Sequence, residues 1–135
     1  MVKKSLIYLS LLCFVSCQNF GQLKVLANLP NSLHEVSGIE KVKNADLLWM
    51  LNDSGNKPII YGGDNQGKII RERIVKAKNK EWEDITSDEE GNLYIADFGN
   101  NNNKRKKVRI LKIKHQDFLV KDKVEVEKIK FSYPN

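Results

Sequence analysis

The sequence predicts an all-β chain: about two four-stranded antiparallel blades of a β-propeller, preceded by an N-terminal closing strand. Three observations predict it. Short β-prone runs recur between polar, glycine-bearing turns, with no convincing helix. Val36-Ser37-Gly38-Ile39 aligns with Trp82-Glu83-Asp84-Ile85 at an offset of 46, and Leu48-Trp49-Met50-Leu51-Asn52-Asp53 with Leu93-Tyr94-Ile95-Ala96-Asp97-Phe98 at an offset of 45. Each unit then continues into two more strands, and four strands per repeat of roughly 40–50 residues is the pattern of propeller blades. A sandwich requires no such equivalence between strands.

The first residues decide the compartment. Lys3 and Lys4 precede an almost wholly apolar stretch, 5–15, which is the pattern of a bacterial export signal. The stretch is shorter than the roughly 20 apolar residues that span a bilayer. Residues 1–16 are therefore read as a signal peptide. Phe14-Val15-Ser16-Cys17 is similar to a lipobox, making Cys17 a lipidated N-terminus and the protein an outer-membrane or cell-surface lipoprotein. The alternative is ordinary cleavage after Asn19-Phe20-Gly21, releasing a periplasmic or secreted product. The only two cysteines, Cys13 and Cys17, lie in or beside the signal, which excludes a disulfide or cysteine zinc site within the folded part.

Residues 17–32 form an N-terminal segment whose run 23–29 is the closing strand. Strands follow at 36–42, 47–51, 58–61 and 69–75, with a turn over 62–67. The second unit places strands at 82–86, 92–96, 108–113 and 124–131, so 33–135 holds two blades. Closed rings have roughly 4–8 blades. The expectation is thus an N-terminal portion of a longer product, whose remaining blades are its first partners.

The net charge of +6 falls to +4 without residues 1–16, and the excess sits in residues 104–107 and a lysine-rich tail. Those lysines alternate with Val, Ile and Leu, as a solvated strand face requires. No zinc finger, helix-turn-helix or RNP motif appears, so no nucleic-acid partner is expected. Ser/His/Asp arrangements, Walker loops and dinucleotide turns are also missing, and no catalytic residue is assigned.

Blade topology gathers the start of the first strand, the end of the second and the following loop on one face. That face collects Glu35, Ser37, Asn52, Asp53 and Asn56 from the first unit, and Glu83, Asp84, Asp97, Asn100, Asn101 and Arg105 from the second. Oxygen donors crowded there suit calcium, so Glu83, Asp84, Asp97 and Asn52 are the candidate metal ligands, with Glu35, Asp53, Asn100 and Arg105 lining a ligand face. Burial there also favours carboxylates of raised pKa. The plain alternative is that Asn and Asp at strand ends serve tight turns, and that Glu83 or Asp84 pairs with Arg105 or Lys104. His34 reads as a loop residue on that face and His115 as solvated at a strand end. Trp49, Trp82 and Tyr94 read as filling between blades, or alternatively as a sugar-stacking platform.

Val36-Ser37-Gly38-Ile39, Trp82-Glu83-Asp84-Ile85 and the stretch 93–101, Leu-Tyr-Ile-Ala-Asp-Phe-Gly-Asn-Asn, resemble the opening blades of secreted bacterial six-bladed propellers, similar in fold to TolB-like, NHL and gluconolactonase propellers. The likeness spans 33 to about 115 and implies a fold more firmly than an activity. Gluconolactonase-type enzymes hold a divalent metal, usually calcium, at the channel mouth, with ligands that include later blades. The expectation is an exported, envelope-associated module that binds a small molecule or protein. The alternative is a calcium-dependent hydrolase of lactonase or phosphoesterase type using the same face.

Overall fold

The computed structural model describes residues 24–133, so Cys13, Cys17 and the signal lie outside the described residues. After a 3-10 turn at Asn31–Leu33, the strands are β1 Val36–Glu40, β2 Leu48–Asn52, β3 Ile59–Gly63, β4 Ile69–Val75, β5 Asp84–Ser87, β6 Leu93–Asp97 and β7 Val108–Ile113. Helix α1 His115–Val120 then leads to β8 Lys123–Val124 and β9 Glu127–Phe131. The protein is mostly β. Its first sheet has the order β1-β2-β3-β4-β8 and its second β5-β6-β7-β9, each an antiparallel meander of four strands, and neither sheet closes on itself.

The turns explain the strand ends. In Asp64-Asn65-Gln66-Gly67-Lys68, Asp64 Oδ1 accepts from the amides of Gln66 (2.8 Å) and Lys68 (3.0 Å), and Gly67 takes φ +79. Asp88-Glu89-Glu90-Gly91-Asn92 repeats the device, with Asp88 Oδ1 accepting from the amides of Glu90 (3.1 Å) and Asn92 (2.8 Å) and Gly91 at φ +82. An aspartate that holds its own turn backbone and a glycine at positive φ make a tight connection.

Between the sheets lies the core. The first sheet contributes Trp49, Leu51, Ile60 and Val75, and the second Ile85, Leu93, Ile95, Leu111 and Ile113. A fully buried side chain of this size contributes roughly 1.5–3 kcal/mol. At the inner edge β1 lies on β5, where a Cβ on Gly38 would meet Ile85 N at 2.7 Å. A second cluster of Leu33, Met50 and Tyr61 occupies the outer face of the first sheet. Burial pushes the Tyr61 phenol above its ordinary value, helped by the nearby Glu72 carboxylate.

Three features differ from the sequence reading. Residues 24–30 belong to no helix or strand among the described residues, so the closing strand is not formed here. The expected strand 124–131 is divided, because β8 pairs in parallel with β4 (Ile74↔Lys123, Val75↔Val124) while β9 pairs with β7. A helix stands where none was expected. Its Phe118 packs on Trp49 with ring centroids 4.3 Å apart, and buried Arg73 donates from Nε to Phe118 O (2.9 Å) and from Nη2 to Leu119 O (3.3 Å). A cation closing the last carbonyls of a short helix fixes it in place. Helix and β8 together clasp the second sheet to the first. Among the described residues no helix is long and apolar enough to cross a membrane.

Candidate functional site

The ends of β2 and β6 and the entries to β1 and β5 meet on one side of the molecule, because each first strand runs antiparallel to its second: Val36 lies opposite Asn52 and Asp84 opposite Ala96. Asn79 ties the two units together there. Its Nδ2 donates to Asn52 O (3.0 Å) and Asp53 O (2.8 Å), and its Oδ1 accepts from Trp82 N (3.2 Å). Ser37 Oγ donates to Trp82 O at 2.8 Å, a second stitch across the junction.

Asp97 is fully buried at the end of β6. One carboxylate oxygen accepts from Glu81 N (3.2 Å) and Arg105 Nη2 (3.0 Å), and the other from Arg109 Nε (2.6 Å). Arg105 also donates to Gly99 O (2.7 Å) and Asp97 O (2.9 Å), and stands 3.8 Å from Glu81 Oε2. Asn100 closes the loop, accepting from Arg105 N at 2.8 Å and donating to its carbonyl at 3.2 Å. A buried carboxylate between two guanidiniums is satisfied electrostatically only while both remain.

In the first unit Asn52 is buried and donates to Ser32 O (2.7 Å). Glu35 accepts from Asn56 Nδ2 at 2.6 Å, and Asp53 holds the amide of Ser54. Glu83 is half-buried and rests on Gly99, where a Cβ would collide with its Oε1. Desolvation raises its pKa above the ordinary value, reinforced by Asp53 and Glu81 and opposed by Arg105. Asp84 is exposed, on the opposite side of the strand, with Oδ1 accepting from Ile85 N (2.8 Å).

The structure therefore brings Asn52, Asp53, Glu83, Asp97, Asn100 and Arg105 to one end, with Glu35 beside them, but it does not converge the four candidate metal ligands. Asp97 has both oxygens on cations, and Asp84 points away from Glu83. Among the described residues no group of three or more His, Cys, Asp or Glu side chains is arranged to hold a metal. This geometry does not fit one calcium ion held by all four.

Asn101 is exposed beside the site. His34 is exposed and bonds Asn31 O (2.9 Å), with Nε2 3.7 Å from Glu35. His115 is part-buried at the start of α1, its amide donating to Asn92 Oδ1 (3.0 Å), so it is not the solvated strand end expected. Trp49 and Trp82 are core residues with no face for a sugar, and the Tyr94 ring carries Lys112 Nζ at 5.3 Å.

Asn79, Glu81 and Arg109 join the site without having been singled out. Arg109 had a legible signal: strand alternation puts it on the face of Leu111 and Ile113, where an arginine needs a buried acid. Asn79 and Glu81 had none, lying in an irregular approach to β5.

Four side-chain polar atoms are buried without a hydrogen-bond partner among the described residues: Asn52 Oδ1, Glu81 Oε2, Trp82 Nε1 and Arg105 Nε. Asn52, Glu81 and Arg105 belong to this end, and the Trp82 indole lies in the core. Comparisons with protein families, with curated proteins and with solved structures returned no match for the chain.

Proposed function

We propose that this chain is an exported, envelope-associated binding module of β-propeller type, contributing two blades and presenting its ligand face at the Asp53–Glu83–Asn100 end. The observation that carries the reading is the concentration there, among the described residues, of buried polar atoms without a hydrogen-bond partner. Native interiors pair such atoms, and each exception calls for a water, an ion or a ligand group. Asp53, Glu81 and Glu83 crowd that end with negative charge, while Arg105 is engaged by Asp97 and Gly99. Two of those atoms, Asn52 Oδ1 and Glu81 Oε2, are acceptors beside the crowded acids, and the ligand class that fits them is a small molecule or protein loop presenting a cationic or hydrogen-bond-donating group.

The test is saturation-transfer NMR of the purified protein against a library of amines, guanidines and neutral polyols. Amines and guanidines should show transfer in the wild type and lose it in Glu83→Gln and Asp53→Asn. Hits that are the same in wild type and both variants would overturn the assignment of the face. Anchoring through Cys17 is tested by metabolic labelling with palmitate. Label should enter the wild type and be absent from Cys17→Ser, whereas an unlabelled wild type cleaved ahead of Gln22 would assign it to the soluble exported class.

A further inference from the structure

Among the described residues each sheet leaves apolar side chains exposed on its free side, and the repeat indicates what fits them. In the internal junction the first sheet presents Trp49, Leu51 and Ile60, and the second presents Ile85, Leu93 and Ile95. The repeat carries Trp49 and Leu51 onto Tyr94 and Ala96. Ile110 stands opposite Ala96 as Ile60 stands opposite Leu51. Side chains alternate along a strand, so Tyr94, Ala96 and Ile110 lie on the side of the second sheet that faces away from the junction. In the other direction, Ile85, Leu93 and Ile95 map back onto Ile39, Leu48 and Met50, on the outer side of the first sheet. Each sheet thus bears, on its free side, a version of the surface that its neighbour uses inside the chain.

Exposure follows the same logic. Ile85 is 2 % exposed in the junction and its counterpart Ile39 is 55 % exposed, whereas Met50, against Leu33 and Tyr61, is already covered. Beside Ile39 a recess of about 700 Å³ is lined by Val25, Leu26, Leu48 and Met50. On the free side of the second sheet Ile129 is 42 % and Phe131 37 % exposed, and Phe131 stacks edge-on against Phe98 and Tyr133 at 6.5 and 6.3 Å. Contiguous apolar faces of this kind mark interaction surfaces.

We propose that copies of this chain associate head to tail, the free face of the second sheet in one copy covering the free face of the first sheet in the next. The occupant is a second copy because the surface required is one that this chain already makes, in the relation its own junction uses. Pairing like faces would not reproduce that relation. A head-to-tail contact gives a ring when its rotation closes and a filament when it does not. One position departs from the repeat: Asp84 stands where Gly38 stands, and a Cβ at Gly38 would meet the facing backbone at 2.7 Å. The contact between copies is accordingly more open at that edge than the internal one. The inference rests on the repeat and the strand register and not on the ligand face.

Native mass spectrometry of the purified full chain should show oligomers that grow with concentration through the micromolar range. Ile39→Glu and Ile129→Glu each place a charge on one exposed face and should each weaken self-association by about tenfold or more. Mixed together, the two variants should form a heterodimer and nothing larger, since each keeps the face that the other lacks. That heterodimer also certifies that both variants are folded. Asp84→Gly should strengthen association by removing the departure. A wild type that stays monomeric at high micromolar concentration would assign the faces to sheets of another origin and overturn the proposal. A mixture that stays monomeric, or variants that associate like wild type, would overturn it equally. The ligand experiment above reads the opposite feature of the molecule and succeeds or fails independently.

Discussion

The ends of β2 and β6 occupy the same place in the repeat, yet they are built from different chemistry. Asn52 is neutral, donates one hydrogen bond to Ser32 O and leaves its Oδ1 without a hydrogen-bond partner among the described residues. Asp97 is charged and fully buried, with both oxygens held by Arg105 and Arg109. The repeat thus conserves position and backbone while the electrostatics diverge. One unit ends in an ionic latch, and the other in an amide with capacity to spare. A site placed across the two has a rigid side and an open side.

The largest effect should come from breaking the latch. Asp97→Ala leaves two mostly buried guanidiniums facing each other and removes the acceptor of Glu81 N. Losing one partner of such a network costs about 3–5 kcal/mol when burial is complete, and about 3 kcal/mol here because each arginine keeps some contact with water. Asn52→Ala removes a single neutral hydrogen bond, worth about 1 kcal/mol. Urea unfolding of the two variants checks the contrast. Equal losses would mean that the two strand ends are held alike and that the latch is nominal.

How much of this contrast was legible follows from the same residues. β4 and β7 appear at the bounds expected, since the turn residues ahead of Ile69 and the alternation of Val108–Ile113 are local signals, although Gly62 and Gly63 belong to β3 and the turn begins at Asp64. The all-β character and the internal offset were equally local. Placing Asn52, Asp97 and Arg105 at one end needed only strand direction. That Asp97 pairs with Arg105 and Arg109, leaving Glu83 uncommitted, depended on side-chain packing across twelve residues of loop and strand. The helix left no pattern, because His115–Val120 has six residues and buries only Phe118. Its stability comes from Trp49 and Arg73, distant in sequence. The split of 124–131 is likewise decided by β4, which takes Lys123 and Val124 for itself.

Glu83 extends the comparison. Its counterpart in the first unit is Ser37, whose hydroxyl is satisfied by Trp82 O at 2.8 Å. Glu83 instead carries a carboxyl raised above 4.5 by desolvation, Asp53 and Glu81. A carboxyl with a raised folded pKa binds its proton more readily in the folded state, so its ionisation opposes folding as pH rises through that value. Glu83→Gln should therefore be more stable than wild type at neutral pH, by about 0.5–1 kcal/mol for a partly exposed like-charge contact. The difference should shrink toward zero below pH 4.5. Thermal unfolding at acid and neutral pH checks it. A difference that is the same at both would remove like-charge crowding as its cause. Gained stability with lost ligand transfer in the same variant is what a binding residue, as opposed to a structural one, should give.

The smallest effect separates the turns that precede β2 and β6. The first unit crosses from β1 to β2 over residues 41–47 and uses Asn44 at φ 61. The second uses Asp88, whose second oxygen accepts from Asn92 Nδ2 (2.9 Å) and Tyr94 Oη (2.8 Å). These bonds to the ionised form, the Asn92 side chain first, lower the Asp88 pKa from 3.8 to about 2. A depressed carboxyl contributes stability that is complete above its unfolded pKa and is lost as pH falls through the folded one. Wild type should therefore lose this contribution between pH 3.8 and about 2, and Asp88→Asn, which lacks it, should be less stable than wild type at neutral pH and show a flatter acid limb, the two converging in acid. The amide resonances of Glu90 and Asn92, followed through that range, report the turn directly. A midpoint near 2 keeps the second turn as the electrostatically tied one, whereas a midpoint at the ordinary aspartate value would make the two turns equivalent and confine the asymmetry between the units to their opposite ends.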